Sequence, residues 1–259
     1  MFHVKHFYLQ HYISISFYTA IFLLLTILYV IMFHVKHTQK TQVNYQQLLD
    51  LLFNESQLYN LTGLKNKEDM QLKHIEDSLI LSGYIQGRFS QTSTILDLGT
   101  GAGFPGLIVA LENPDIKLCL IDSTAKKINF VNKVIDLYNI KNATAVCDRV
   151  ENFALKSSYA FDILIARSLA RLDILLEYAA PLLKTNGHLL AMKSEQLEDE
   201  LCIAAIVQDK LGFVLNQTYE YSLALQKRYI LDFQKLKEST IKLPRSNGLA
   251  SSKPLSGRK

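Results

Sequence analysis

Glycines at every second position follow an acidic residue in the stretch ILDLGTGAGFPG. Asp97, Gly99, Gly101 and Gly103 form the pattern D-x-G-x-G-x-G. Glycine lets a backbone turn sharply, and it lets a ligand lie against that backbone because no Cβ stands in the way. The pattern therefore predicts a ligand-binding turn, and the alternative is a glycine-rich turn without a function.

A dinucleotide-binding turn is one alternative for the same stretch. Gly101, Gly103 and Gly106 match the fingerprint G-x-G-x-x-G. Asp97, however, would place a negative charge beside a pyrophosphate, and Pro105 removes a backbone N–H donor where the next helix begins. These two features favour a different ligand. A phosphate-binding loop of the Walker type is excluded, since no Gly-Lys-Ser/Thr follows.

Three more candidate positions lie where later apolar runs end. Asp122, in LCLIDS, is placed to accept hydrogen bonds from a ribose diol, or else to cap the next helix. Val150 and Glu151, in CDRVENF, either supply a backbone N–H and an apolar wall to an adenine or form a surface turn. Arg167 ends the run FDILIAR, so its guanidinium is expected at the mouth of a cleft, unless it forms an ion pair or packs on the surface.

The elements that position these residues alternate between apolar runs and helical patterns. Predicted strands are TILDLG, IKLCLID, ATAVCD, FDILIAR and GHLLAMKS, with FVLNQTYEYSL and RYILDFQK as a closing hairpin. Helices are predicted in segments that include YQQLLDLLFNESQLY, KEDMQLKHIEDSLILSGYI and RLDILLEYAAPLL. The order predicts an α/β fold with a doubly wound, mostly parallel, seven-stranded sheet and N-terminal helices. Ligands of such sheets bind beyond the carboxyl ends of the strands.

Residues 1–31 are an apolar leader, and 7–33 contain no Lys, Arg, Asp or Glu. That length approaches a bilayer crossing. The hexapeptide MFHVKH opens the chain and recurs at 32–37. One set of codons for it, ATG TTT CAC GTG AAA CAT, equals its own reverse complement and resembles a palindromic site of bacterial chromosome partitioning. Two hypotheses stay open: a transmembrane segment, or upstream sequence read in frame before a start at Met32.

Charge is concentrated at the C-terminus. Residues 235–259 hold seven Lys or Arg and one Glu, a net +6, in a chain of net charge +4. We predict a basic flexible tail that meets a polyanionic partner, with a merely solvated end as the alternative.

The cysteines and histidines do not indicate a metal site, and a cysteine nucleophile is the less favoured alternative to buried thiols. Cys119, Cys147 and Cys202 are odd in number and lack metal-ligand spacing, which indicates a reducing compartment, buried thiols and no metal. His74, in LKHIEDSL, is expected to face Glu76 and Asp77 or solvent from its helix.

Eight segments together resemble one family. They are YNLTGL, LKHIEDSL, LDLGTGAGFPG, LIDSTAKKINF, DRVENF, IARSLARL, RYILDFQK and KLPRSNGLASSKPL. They resemble the bacterial 16S ribosomal RNA guanine-N7 methyltransferases (small-subunit methyltransferase G, or glucose-inhibited division protein B), class I enzymes that use S-adenosylmethionine. The resemblance runs from about Tyr45 to the end. The family lacks a long apolar leader, so residues 1–31 depart from it.

The resemblance implies S-adenosylmethionine as cofactor and 16S ribosomal RNA or the small ribosomal subunit as partner. It also implies a cytoplasmic monomer, with membrane contact only if residues 1–31 are translated. Together with the glycine pattern it predicts cofactor contacts at Asp97, Gly99, Gly101, Gly103, Phe104, Asp122, Val150, Glu151 and Arg167. RNA contacts are expected at Arg171, Lys193, Arg228, Lys242 and Arg245.

The predicted reaction needs no general base, because guanine N7 offers a lone pair and carries no proton. Arg167 is then expected to orient substrate or cofactor. The alternatives are a non-catalytic RNA-binding or membrane-tethered adaptor and a nicotinamide-dependent oxidoreductase. The predicted organisation is the leader 1–31, a helical part 32–93, the methyltransferase domain 94–234 and the tail 235–259.

Overall fold

The structure, a computed structural model, describes residues 44–194 and 197–258. The apolar leader 1–31 and both copies of MFHVKH lie outside the described residues, so the hypotheses about them stay predictions. Within the described ranges, no helix is both long and apolar enough to cross a bilayer.

A seven-stranded sheet forms the centre of the fold, which confirms the predicted architecture. The strands are β1 (Thr94–Leu98), β2 (Lys117–Asp122), β3 (Ala143–Cys147), β4 (Phe161–Arg167), β5 (Leu183–Lys193), β6 (Phe213–Leu223) and β7 (Gln226–Lys235). Their order is β3-β2-β1-β4-β5-β7-β6. Strands β1 to β5 pair in parallel, and β7 pairs antiparallel with both β5 and β6.

Helices precede the sheet and connect its strands. They are α1 (Tyr45–Tyr59), α2 (Lys67–Met70), a π-helix (Gln71–Glu76), α3 (Asp77–Gln86), α4 (Gly106–Glu112), α5 (Ala125–Leu137), α6 (Val150–Lys156), α7 (Leu172–Ala179), α8 (Leu197–Leu211) and α9 (Leu249–Ser252). The π-helix continues directly from α2 into α3, so 67–86 is one helical stretch.

Helix α7 is shorter than predicted. The segment RLDILLEYAAPLL was expected to be helical throughout, but α7 ends at Ala179 and Leu183 already begins β5. Pro181 explains the early end, because proline offers no N–H to continue the hydrogen bonds of the helix.

The two faces of the sheet pack into two apolar clusters. Side chains alternate along a strand, so Ile95 of β1 joins one cluster while Leu96 and Leu98 join the other. Residues of α1, the π-helix and α3 belong to the first cluster, and those of α7 and α8 to the second. Helices therefore cover both faces, as a doubly wound fold requires.

The prediction of a flexible tail is wrong for residues 236–258, because they pack onto the domain. Arg245 donates two hydrogen bonds, of 2.8 and 2.6 Å, to the carboxylate of Glu177, which is 4% exposed. The N–H of Gly248 donates to buried Glu151 at 2.7 Å. Buried carboxylates require donors, and the tail supplies them. The predicted boundary also shifts, because Lys235 is the last residue of β7.

The expectation of buried thiols is wrong for two of the three cysteines. Cys147 and Cys202 are exposed, whereas Cys119 is half-buried. Strand β3 is an edge strand and Cys147 is its last residue, so the sheet covers it on one side only.

Candidate functional site

Asp97 holds the glycine-rich loop in place from inside the protein. Its Oδ2 accepts hydrogen bonds from the Thr100 hydroxyl at 2.6 Å and the Gly106 N–H at 2.8 Å. A Cβ at Gly106 would lie 2.6 Å from that oxygen, so only glycine fits. Oδ1 is buried and has no hydrogen-bond partner among the described residues. Burial raises the pKa of Asp97 to about 6, although the bonds from Thr100 and Gly106 oppose the shift.

Asp122 holds the same loop from the neighbouring strand. Its Oδ2 accepts from the Gly101 N–H at 3.0 Å, and its Oδ1 accepts from the Thr124 N–H at 2.8 Å, where α5 begins. Each carboxylate oxygen has two acceptor positions, so one on each stays available to a ligand. Gly101 has a φ of +61°, and no atom lies within 4 Å of the place a Cβ would take. The loop therefore offers an open backbone surface beside a carboxylate.

A cleft of about 450 Å³ opens at this edge of the sheet. Of the predicted cofactor residues, Gly99, Gly101, Phe104 and Arg167 line it. Asp97 and Gly103 are buried, and neither they nor the half-buried Asp122 is among the lining residues. The other lining residues come from the α1–α2 loop, the helical stretch 67–86, the glycine-rich loop, α5, the end of β4 and β7. They are Leu61, Thr62, Gly63, Leu64, Lys73, His74, Asp77, Thr100, Ala102, Lys127, Ser168 and Arg228.

Arg167 forms hydrogen bonds with three parts of this wall: α3, the π-helix and the glycine-rich loop. Its Nη1 donates to Asp77 Oδ2 at 3.0 Å and to the carbonyl oxygen of Lys73. Its Nη2 contacts His74 Nδ1 at 2.9 Å and donates to the carbonyl oxygen of Phe104 at 3.3 Å. The side chain is 10% exposed. The end of β4 is thereby fixed to the π-helix and to the glycine-rich loop.

His74 was predicted to face Glu76 and Asp77 or solvent, but the half-buried ring lines the cleft and contacts residues of other elements. It stacks on Phe104 with ring centroids 4.9 Å apart, and its Nε2 lies 2.9 Å from the Thr62 hydroxyl oxygen. Burial, and to a smaller extent the charge of Arg167, lower the pKa of His74 to about 3. The π-helix explains the error: its turns hold more residues than α-helical turns, so the α-helical period does not predict its inner face.

Asp77 is a second site residue that the sequence did not reveal. It is 1% exposed, and Tyr221 donates a 2.7 Å hydrogen bond to its Oδ1. Arg228 Nη1 lies 3.9 Å from Oδ2, and Arg228 Nε is buried without a partner among the described residues. Burial and the charge of Asp77 raise the pKa of Tyr221. Only tertiary contacts bring these groups together, although Asp77 belongs to the segment LKHIEDSL.

Two predicted adenine contacts lie away from the cleft wall. Val150 is half-buried at the start of α6 and packs against the second apolar cluster, to which α7 and α8 contribute. Glu151 directs its carboxylate to the tail through the Gly248 N–H. Contact of either residue with a cofactor stays a prediction.

Three side chains that were predicted to contact RNA form ion pairs within the domain. Arg171 pairs with Asp173 at 3.1 Å, and Lys193 pairs with Glu200 at 2.6 Å. Arg245 pairs with Glu177. The expected free basic surface therefore does not include these three side chains. Lys242 is exposed and Arg228 lies on the cleft wall, and contact of any of the five residues with RNA stays a prediction.

The cleft wall carries more positive than negative charge. Lys73, Lys127, Arg167 and Arg228 line it, and Asp77 is the acidic residue among the described lining residues. Lys73 also pairs with Asp69 at 3.1 Å, whereas Lys127 has no side-chain partner in the part of the chain that the structure describes. A cleft with this balance suits a ligand that carries an anionic group.

Solved structures of low sequence identity share the fold. A SAM dependent methyltransferase from Aquifex aeolicus has a TM-score of 0.51 and 16% identity, over 67% of this chain and 96% of that chain. A putative transferase from Pyrococcus horikoshii has a TM-score of 0.51 and 14% identity, over 62% of this chain and 64% of that chain.

Sequence relatives cover most of the chain. Proteins called ribosomal RNA small subunit methyltransferase G are 34% identical in Leuconostoc citreum and 35% in Lactococcus lactis subsp. cremoris. These matches cover 84% and 86% of this chain, and 92% and 94% of the relatives. A family model described as rRNA small subunit methyltransferase G matches residues 41–231. The chain belongs to the GidB family of rRNA small subunit methyltransferases G.

Proposed function

We propose that the protein transfers the methyl group of S-adenosylmethionine to N7 of one guanine in 16S ribosomal RNA. It would act as a cytoplasmic monomer on the RNA or on the small ribosomal subunit. The observation that carries the proposal is the pair Asp97 and Asp122, at the ends of neighbouring parallel strands, which hold one glycine-rich loop open beside a cationic cleft.

The residues present fit the cofactor. Asp122 keeps one acceptor position on each oxygen for the two hydroxyls of a ribose. Gly101 faces open space, so a ligand can lie on its backbone. Lys127, without another partner among the described residues, suits the carboxylate of the amino-acid end. When bound, S-adenosylmethionine supplies an electrophilic methyl group on a positively charged sulfur.

The wall suits an acceptor that loses no proton. His74 is neutral and both of its ring nitrogens are engaged, while Asp77 is bonded to Arg167 and Tyr221. Neither is free to act as a general base. Guanine N7 needs none, so the protein's contribution is to position the base and exclude water. Arg167, held by its acceptors, is a rigid part of that wall.

The adaptor alternative explains less of the structure. A protein that only binds RNA has no need for a buried Asp97 whose pKa is raised, or for a loop with Gly101 open to ligand. The family match over 41–231 also includes β1, β2 and β4 in full and the part of β7 that carries Arg228.

Label transfer tests the proposal directly. Unmethylated small subunits are incubated with the protein and S-adenosylmethionine labelled in its methyl group. The RNA is then treated with borohydride and aniline, which cleave chains at N7-methylguanosine. We expect label at one guanine and chain cleavage at that site. Label without cleavage would contradict N7 as the acceptor, and no label from a folded, cofactor-binding protein would contradict methyl transfer.

A further inference from the structure

Thr62 stands on the cleft wall with its hydroxyl held from two sides. Its Oγ1 lies 2.9 Å from Nε2 of His74 and accepts a 3.2 Å hydrogen bond from the Leu64 N–H. The residue is half-buried and lines the cleft. Thr62 belongs to the loop between α1 and α2, so it faces the glycine-rich loop from the N-terminal part of the chain.

The direction of each hydrogen bond in this chain follows from what each group can do. A guanidinium only donates, so Arg167 Nη2 donates to Nδ1 of His74. In a neutral ring the other nitrogen then carries the proton, so His74 Nε2–H donates to Thr62 Oγ1. The Leu64 N–H also donates to this oxygen.

These two donors fill both acceptor positions of the Thr62 hydroxyl. Its own proton must therefore point elsewhere, and no described residue accepts it. The hydroxyl cannot turn round to accept from a ligand without breaking one of the two bonds. Thr62 thus presents a fixed donor, and not an acceptor, at the cleft.

We propose that the Thr62 hydroxyl selects guanine by donating a hydrogen bond to O6, the oxygen beside N7. This inference rests on the proposed function. Adenine carries an amine in place of O6, so a fixed donor would face another donor, and a site built around a polar contact rejects the analogue that cannot make it. The carboxylate of the cofactor is another oxygen acceptor, but the lysines and arginines of the wall suit a charged group better than a neutral hydroxyl does.

The test compares three bases at the methylated position, placed there by ligating a synthetic RNA fragment. Guanine and inosine keep O6, whereas 2-aminopurine keeps N7 and lacks O6. For the wild-type protein we expect kcat/KM on 2-aminopurine to fall about 10- to 100-fold, the size of one hydrogen bond to a buried group. Inosine should retain most of the rate. Equal rates on guanine and 2-aminopurine would overturn the inference without any variant.

Two variants complete the test. Thr62→Val should lose about as much on guanine as the wild type loses on 2-aminopurine, with no further loss when both changes are combined. Thr62→Ser, which keeps the hydroxyl, should restore the rate on guanine. If the fold losses in kcat/KM from Thr62→Val and from 2-aminopurine multiply when the two changes are combined, the inference is overturned. So would weaker binding of S-adenosylmethionine by Thr62→Val, because the acceptor would then be the cofactor. Absence of any methyl transfer by the wild type would instead overturn the proposed function.

Discussion

Arg167 donates a hydrogen bond from Nη2 to Nδ1 of His74 across 2.9 Å. This contact joins the last residue of β4 to the π-helix, and the two residues are 93 positions apart in the sequence. Because arginine cannot accept a hydrogen bond, the contact also fixes which nitrogen of His74 carries the proton. Arg167 of the central sheet therefore fixes the tautomer of His74 on the N-terminal wall of the cleft.

Arg167→Ala should lower the free energy of unfolding of the protein. Asp77, which is 1% exposed, would lose its ion-pair partner at 3.0 Å. Removing one partner of a buried pair costs about 3–5 kcal/mol of unfolding free energy. Urea titration followed by circular dichroism measures this loss. Exposed Arg149 offers a matched control, and Arg149→Ala should cost less than about 0.5 kcal/mol. Equal costs for the two variants would show that the Arg167 pair does not stabilise the fold.

His74 should contribute to acid destabilisation. Its pKa is lowered from 6.5 to about 3, mainly by burial, so between these pH values the unfolded chain binds a proton that the folded protein does not. Stability supplied by neutral His74 is full above pH 6.5 and falls by about 1.4 kcal/mol per pH unit as the pH drops. His74→Asn should be less stable at pH 7 but lose stability less steeply between pH 6 and 4.5. Parallel pH profiles of the two proteins would contradict the assignment.

Asp97 should contribute a pH dependence of stability opposite in sign to that of His74. Burial raises its pKa from 3.8 to about 6, so between these values the folded protein binds more protons at Asp97 than the unfolded chain. This contribution falls as the pH rises from 4 to 6. The unfolding free energy of Asp97→Asn minus that of the wild type should therefore rise over this window, by about 2 kcal/mol. Urea titrations of both proteins at pH 4, 5 and 6 measure the difference. A constant difference would show that Asp97 is not held in this environment.

Lys242 should account for part of the salt dependence of RNA binding. It is exposed, whereas Arg171, Lys193 and Arg245 are held by acidic partners. Lys242→Ala should reduce the slope of log K against log salt by about 0.7–0.9, the loss of one phosphate contact.

Lys156 provides the control for this titration. It is exposed at the end of α6, and Lys156→Ala should leave the slope unchanged. A slope that Lys242→Ala does not alter, or that both variants alter equally, would remove Lys242 from the RNA surface.

Strand ends could be predicted from the sequence, whereas contacts between distant segments could not. Asp97, Asp122 and Arg167 follow apolar runs, and parallel strands bring such positions to one edge. His74 could not be placed, because the π-helix changes the helical period and its partners Thr62 and Arg167 lie on other elements.

The C-terminal segment illustrates the same limit. Its composition of Gly, Ser, Pro and Lys is typical of a flexible tail. The acids that hold it, Glu151 and Glu177, lie 97 and 68 residues away from their partners. No local pattern indicates that these carboxylates are buried and need donors. The tertiary fold decides the structure of the segment.

Titration of the full chain with S-adenosylmethionine in a calorimeter tests the central claim most directly. We expect saturable heat with one site per chain for the wild type. Asp122→Asn should bind about 10- to 100-fold more weakly, because an amide keeps only one oxygen for the Gly101 and Thr124 N–H groups and the ribose. Exposed Asp115 is the matched control, and Asp115→Asn should bind like the wild type. No heat from the folded wild type, or equal affinities for Asp122→Asn and Asp115→Asn, would contradict the claim.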